Sequence, residues 1–165
     1  MNLAKGLTNG AIPMGAVVAK SEIYQTFMAA GGPEYMVEFP HGYTYSAHPV
    51  ACAAALAAMD IFENDQLAQR AADLAPHFEE AIHSLKGLNY VNDIRNYGLA
   101  GALTIESYPG EPARRPYEIA TKAWDLGFYV RYGGDTIQLG PNFVSEKEDI
   151  TRLVNALGDA IQSLD

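Results

Sequence analysis

Basic side chains are scarce in this sequence. Lys and Arg together number 11 against 20 Asp and Glu, a formal charge of −9, which argues against a nucleic-acid surface or a patch for anionic lipid. Cysteine is nearly absent. Cys52 stands alone, so no internal disulfide can form, and the chain suits a reducing compartment. Long apolar runs are missing too: the longest, VACAAALAAM, has ten residues, about half of what a bilayer crossing needs. The four histidines, at positions 41, 48, 77 and 83, lack metal-ligand spacing and come with no second ligand set. No internal repeat or low-complexity segment occurs. The expectation is a cytoplasmic protein that holds no metal and has no nucleic-acid or membrane partner.

The opening MNLAKGLTNGAIPMGAVVAK imitates a secretory signal, but Pro13 and Gly15 break its apolar run and Lys20 closes it without a clear cleavage site. Targeting is rejected on those grounds. What is present is a globular composition, 48% hydrophobic and 19% charged over 165 residues, enough for one domain with a core or for a large piece of a bigger protein. IPMGAVVAK predicts a buried strand, and Ser21 is expected to cap a short helix, EIYQTFMAA. The Gly31 to His48 stretch has no clear helical period, and loops of such length in compact domains are usually functional or partner-contacting. Pro49 suits the first turn of a helix rich in small residues, VACAAALAAMDIF, expected to be buried.

A second helix carries Leu67, Ala71, Leu74, Phe78, Ile82 and Leu85 at helical spacing, ending at Gly87. NYVNDIRNYG and LAGALTIE read as two strands that turn at Gly98. EPARRP is predicted as a loop, with Pro116 opening the helix PYEIATKAWDLG. FYVRY and TIQLG predict a hairpin across GGD. Ser145 with Glu148 predicts a capping box for a last helix, whose core face is Ile150, Leu153, Val154, Leu157, Ile161 and Leu164. The expected class is α/β, with an α/β first segment over 1–64 and an α+β second one over 65–165. The first segment offers only one convincing strand, and a single strand has no sheet to join.

Three places could carry chemistry. Lys5 lies among glycines at 6 and 10 that would let a backbone and a ligand approach closely. A free lysine has a pKa of about 10.4, so its amine is a nucleophile only when burial or capture by an aldehyde removes that handicap. In GYTYSAHP, Thr44 and Ser46 offer hydroxyls, and the loop ahead of Pro49 offers N–H groups, the parts that hold a phosphate without basic residues. Arg131, beside the GGD turn, could grip a carboxylate through two parallel hydrogen bonds. Taken singly, an exposed terminal lysine, an aromatic interface loop and a surface ion pair are the more ordinary readings.

Order and wording together change the balance. KGLTNGAIPMGAV, then HGYTYSAHPVACAAALA, then GFYVRYGGDTIQLGP strongly resemble the class III, fold-type I aminotransferases, nearest to the omega-amino acid:pyruvate group. The resemblance runs from Lys5 to the final helix. It implies pyridoxal 5′-phosphate as cofactor, with Lys5 as the Schiff-base lysine and proton shuttle. It further implies that Thr44, with the adjacent backbone of Tyr43, contacts the cofactor phosphate across a homodimer interface. Arg131 would hold the carboxylate of an amino acid or keto acid. The implied reaction moves an amino group from an omega-amino acid or amine to pyruvate, giving L-alanine.

In that family the acidic partner of the pyridine nitrogen, the ring-stacking aromatic and the main phosphate loop precede the lysine. This sequence starts four residues before Lys5. The resemblance therefore implies a C-terminal portion, with 1–64 a remnant of the large cofactor-binding domain and 65–165 the small α+β domain. Ala47 departs from the glycine that many relatives carry. Two other readings keep the fold: a non-catalytic docking module, and a different reaction such as an aminomutase, racemase or decarboxylase.

Overall fold

The computed structural model describes residues 1–164, and the chain divides into two compact units, Met1–Asp65 and a second that begins at Gln66. In the first unit, β1 (Asn2–Ala4) leads into a single 3₁₀ turn, Lys5–Leu7, and the chain returns as β2 (Gly15–Val17). The two strands pair antiparallel, Asn2 opposite Val17 and Ala4 opposite Gly15. The expected buried strand is thus corrected. β2 covers only three residues, and Val17 and Val18 are 77% and 54% exposed. A two-stranded ribbon has nothing to bury both of its faces.

α1 (Ser21–Ala29) follows, but Ser21 lies inside it; the N-cap is Lys20, which makes no side-chain cap bond. The stretch up to His48 holds neither helix nor strand. α2 (Pro49–Asn64) starts at the proline as expected, yet only Ala51 and Ala55 are buried in it. Val50, Leu56, Met59, Ile61 and Phe62 are exposed, which overturns the reading of an enclosed helix. Small residues permit close approach on every side, but this unit supplies a neighbour on one side only.

The second unit is a three-helix layer on a four-stranded antiparallel sheet. α3 (Leu67–His83), β3 (Val91–Tyr97), β4 (Ala100–Ile105), α4 (Arg114–Asp125), β5 (Arg131–Gly133), β6 (Thr136–Leu139) and α5 (Lys147–Gln162) follow in order, and the sheet runs β3-β4-β6-β5. Strand alternation builds the core. Leu103, Ile105, Ile137 and Leu139 point inward and join Phe78, Ile82, Ile119, Ile150, Leu157 and Ile161. Gly101 is required there, because a Cβ on it would lie 2.6 Å from Ile82 Cδ1 and 2.7 Å from Phe78 Cζ. Leu153 and Leu164, expected in the core, are only half-buried at its edge.

Three local expectations are corrected. The capping box of α5 lies one residue later, with the Asp149 carboxylate accepting from the Glu146 N–H at 3.1 Å. Arg70 fixes that register by donating to the Phe143 and Ser145 carbonyls and to Glu146 Oε1 at 2.7 Å. FYV is not strand, since the Phe128 N–H donates to the Ala123 carbonyl and finishes α4; Arg131 therefore begins β5 rather than lying inside a strand that starts at Phe128. α4 opens at Arg114, inside the predicted loop. The next residue, Arg115, is 6% exposed, its guanidinium 3.9 Å from the Tyr90 ring centroid and 4.2 Å from that of Tyr108.

Candidate active site

Lys5 follows β1 directly and begins the 3₁₀ turn with φ 54°, in the left-handed region. That conformation costs a non-glycine residue on the order of 1 kcal/mol and persists only where the surroundings enforce it. The enforcement is visible. Thr8 is 3% exposed, its N–H donates to the Lys5 carbonyl, and its Oγ1 donates to the Ile12 carbonyl at 2.6 Å. The Ala11 N–H closes the loop onto Thr8 at 3.0 Å. The Lys5 side chain is exposed on this pinned turn. Thr8 was not singled out from the sequence; a threonine among glycines reads as turn polarity, and only its burial marks it as the anchor. Gly10 owes its place to φ 77°, whereas a Cβ at Gly6 would meet nothing within 4 Å.

Tyr43 and Thr44 lie together in a second turn. The Tyr43 N–H donates to Ser46 Oγ at 3.0 Å, and the Ser46 N–H returns to the Tyr43 carbonyl at 2.9 Å. The Thr44 hydroxyl and N–H have no partner among the described residues. Ala47 adopts φ 58°, a conformation that glycine takes without cost. Rings tie this turn to α1: Phe27 to Phe39 at 4.6 Å, Phe39 to His41 at 5.5 Å, His41 to Tyr43 at 5.6 Å between centroids.

Between this turn and the Ile12–Gly15 segment lies an open cavity of about 530 Å³, lined also by Tyr43, Tyr45, His48 and Ala51. His48 Nδ1 is buried at its wall without a hydrogen-bond partner. Neither Lys5 nor Thr44 lines the cavity. Arg131 belongs to the second unit, where it is exposed at the start of the edge strand β5 opposite Gln138. Lys5 and the Tyr43–Thr44 pair thus share one unit, on separate turns, and Arg131 stands in the other. Among the described residues no group of three or more metal-capable side chains occurs, and no helix is long and apolar enough to cross a membrane.

Residues 1–161 match the family described as aminotransferase class-III. The chain belongs to that family. The class-III match extends to individual members. A beta-alanine–pyruvate aminotransferase of Pseudomonas aeruginosa is 58% identical over 164 residues, which are 99% of this chain and 37% of that protein. An omega-amino acid–pyruvate aminotransferase of Pseudomonas putida is 57% identical over 99% of this chain and 36% of its own length. Among solved structures, a PLP-bound amine transaminase from an uncultivated Pseudomonas species superposes with a TM-score of 0.87 at 35% identity, covering 99% of this chain and 38% of that one. The chain therefore spans somewhat over a third of the length of the relatives it matches.

Proposed function

We propose that this chain is the Lys5-bearing part of an aminotransferase that passes an amino group from an omega-amino acid or amine to pyruvate, giving L-alanine, with pyridoxal 5′-phosphate as cofactor. The carrying observation is the exposed Lys5 amine on a turn held in left-handed geometry, in a chain that matches class-III aminotransferases from residue 1 to 161. The donor set fits the cofactor. An aldehyde needs an accessible amine, and a phosphate dianion needs N–H and O–H donors. Thr44 has both uncommitted, while Tyr43 has already given its N–H to Ser46 and would exchange that bond for a phosphate oxygen.

Pyridoxal 5′-phosphate, when bound, supplies the electron sink for the charge left as the substrate Cα loses its proton. Lys5 would hold the cofactor through Nζ, and the same nitrogen, when free, would carry the proton to and from the substrate. Thr44 holds the phosphate, in a homodimer where one copy's turn serves the other copy's site. Arg131 grips the substrate carboxylate through its fork of donors, which suits a ping-pong cycle that begins or ends on a keto acid.

Mixing the protein with pyridoxal 5′-phosphate and recording the visible spectrum tests this reading. A lysine-dependent absorption band is expected in the wild type and not in Lys5→Ala. A band of equal strength in both proteins would overturn the role of Lys5.

A further inference from the structure

The exposed side of the second unit's sheet sets Arg131 beside a residue that the proposed reaction has not used. Arg131 on β5 is the direct antiparallel partner of Gln138 on β6, and Gln138 is in turn the partner of Ala102 on β4. Strand alternation assigns their faces. Ile137 and Leu139, on either side of Gln138, are buried, and both Arg131 and Gln138 are exposed. Tyr132, between Arg131 and Gly133, stacks edge-on against Tyr117 of α4 at 5.8 Å and so takes the helix side of the strand. Arg131 and Gln138 therefore stand next to each other on the helix-free face, with Cβ atoms about 5 Å apart as directly opposed residues are.

Neither side chain has a hydrogen-bond or ion-pair partner among the described residues. The neighbour on the far side of Gln138 is the methyl of Ala102, which offers nothing to an amide. Arg95, one strand further on, is committed to Asp93 and Thr104. Gln138 has one polar neighbour across the strand pair, and that neighbour is the guanidinium.

We infer that Gln138 is a specificity residue that works with Arg131 on the carboxylate of the substrate. This rests on the proposed role of Arg131. A carboxylate presents about four acceptor positions, and a guanidinium fork fills two of them. The Gln138 Nε2 donates to a third when a keto acid or amino acid is bound. With an amine that lacks a carboxylate, the guanidinium loses its anion, and Gln138 Oε1 accepts from it instead. An amide is suited to both states because it carries a donor pair and an acceptor on one rotatable group. A carboxylate at this position would instead bind the guanidinium permanently and compete with the substrate.

The test uses the full-length protein and two readouts: affinity for acetate, a carboxylate that cannot react, by calorimetry, and KM for pyruvate against KM for propylamine. Arg131→Ala is expected to weaken acetate by about tenfold or more. Gln138→Met should weaken it by about three- to tenfold, and Gln138→Glu by about as much as Arg131→Ala. In both Gln138 variants the KM loss for pyruvate should exceed that for propylamine by about threefold or more. If the Gln138 variants bind acetate like the wild type while Arg131→Ala does not, the inference is wrong and the role of Arg131 stands. If Arg131→Ala is also unchanged, the reading of Arg131 fails and takes the inference with it. Parallel losses for pyruvate and propylamine would show a structural role and overturn it as well.

Discussion

Gly101 lies directly beneath Phe78: a methyl in place of its hydrogen would sit 2.7 Å from Phe78 Cζ, inside any allowed contact. The ring is fully buried on α3 and has no free space to withdraw into. Gly101→Ala should therefore destabilise the protein by about 1–3 kcal/mol through overpacking. The measurement is the urea midpoint at constant m-value; an unchanged midpoint would mean that α3 lifts from the sheet without cost.

Ala47 makes the opposite case. At φ 58° its Cβ crowds the backbone, so Ala47→Gly should raise stability by up to about 1 kcal/mol, the steric relief exceeding the added entropy of the unfolded chain. Thermal melting of the two proteins under identical conditions decides it, and a lower melting temperature for the glycine variant would contradict the argument.

Arg115 is a buried cation over two tyrosine rings, donating to the Glu106 carbonyl. Lysine keeps the charge but loses the planar stack, so Arg115→Lys should cost about 1–3 kcal/mol. Chemical denaturation reads the loss directly. A neutral result would show that charge alone suffices there.

The roles proposed for Arg131 and Lys5 separate binding from chemistry. Arg131→Ala should lower kcat/KM for pyruvate by about a hundredfold while costing far less for an amine without a carboxylate. Lys5→Ala should abolish turnover with both. Steady-state kinetics on one keto acid and one simple amine checks both statements, and equal losses for the two substrates in Arg131→Ala would remove Arg131 from the carboxylate site.

Acid should act on the Glu118 carboxyl. The Arg114 guanidinium hydrogen-bonded to it, helped by the Tyr108 hydroxyl, holds its pKa below the ordinary carboxylate value. A group with a lowered folded-state pKa binds its proton more readily when unfolded. It thus contributes stability above the unfolded value and loses it as pH falls through the folded one. Urea midpoints of wild type and Glu118→Gln should differ at about pH 6 and converge toward about pH 3. The gap should be small because both side chains face water; a gap that widens in acid would reverse the assignment.

The second unit was largely legible from sequence because its strands alternate and its helices repeat. Leu103 and Ile105, Ile137 and Leu139, and the Leu74–Phe78–Ile82 series each name their own inward face. The family was legible through three motifs in order. Burial in the first unit was not, because whether Val17 or Leu56 is covered depends on what surrounds the element, and a residue pattern encodes only the element. Thr8 and Arg115 escaped for a related reason. A polar residue becomes an anchor through partners distant in sequence, such as Tyr90 for Arg115. The position of α5's cap escaped because Arg70, on another helix, selects Glu146 over Ser145.

The rings of Phe27, Phe39, His41 and Tyr43 touch in succession along a segment that has no ladder of backbone bonds. Such a row behaves as a splint: each ring limits the swing of the next, so an otherwise loose strap keeps one course. It also makes the strap breakable at a distance. Replacing His41 would leave Tyr43 and Thr44 chemically intact yet unmoored from α1, and the proposed phosphate grip would be lost without touching any atom assigned to it.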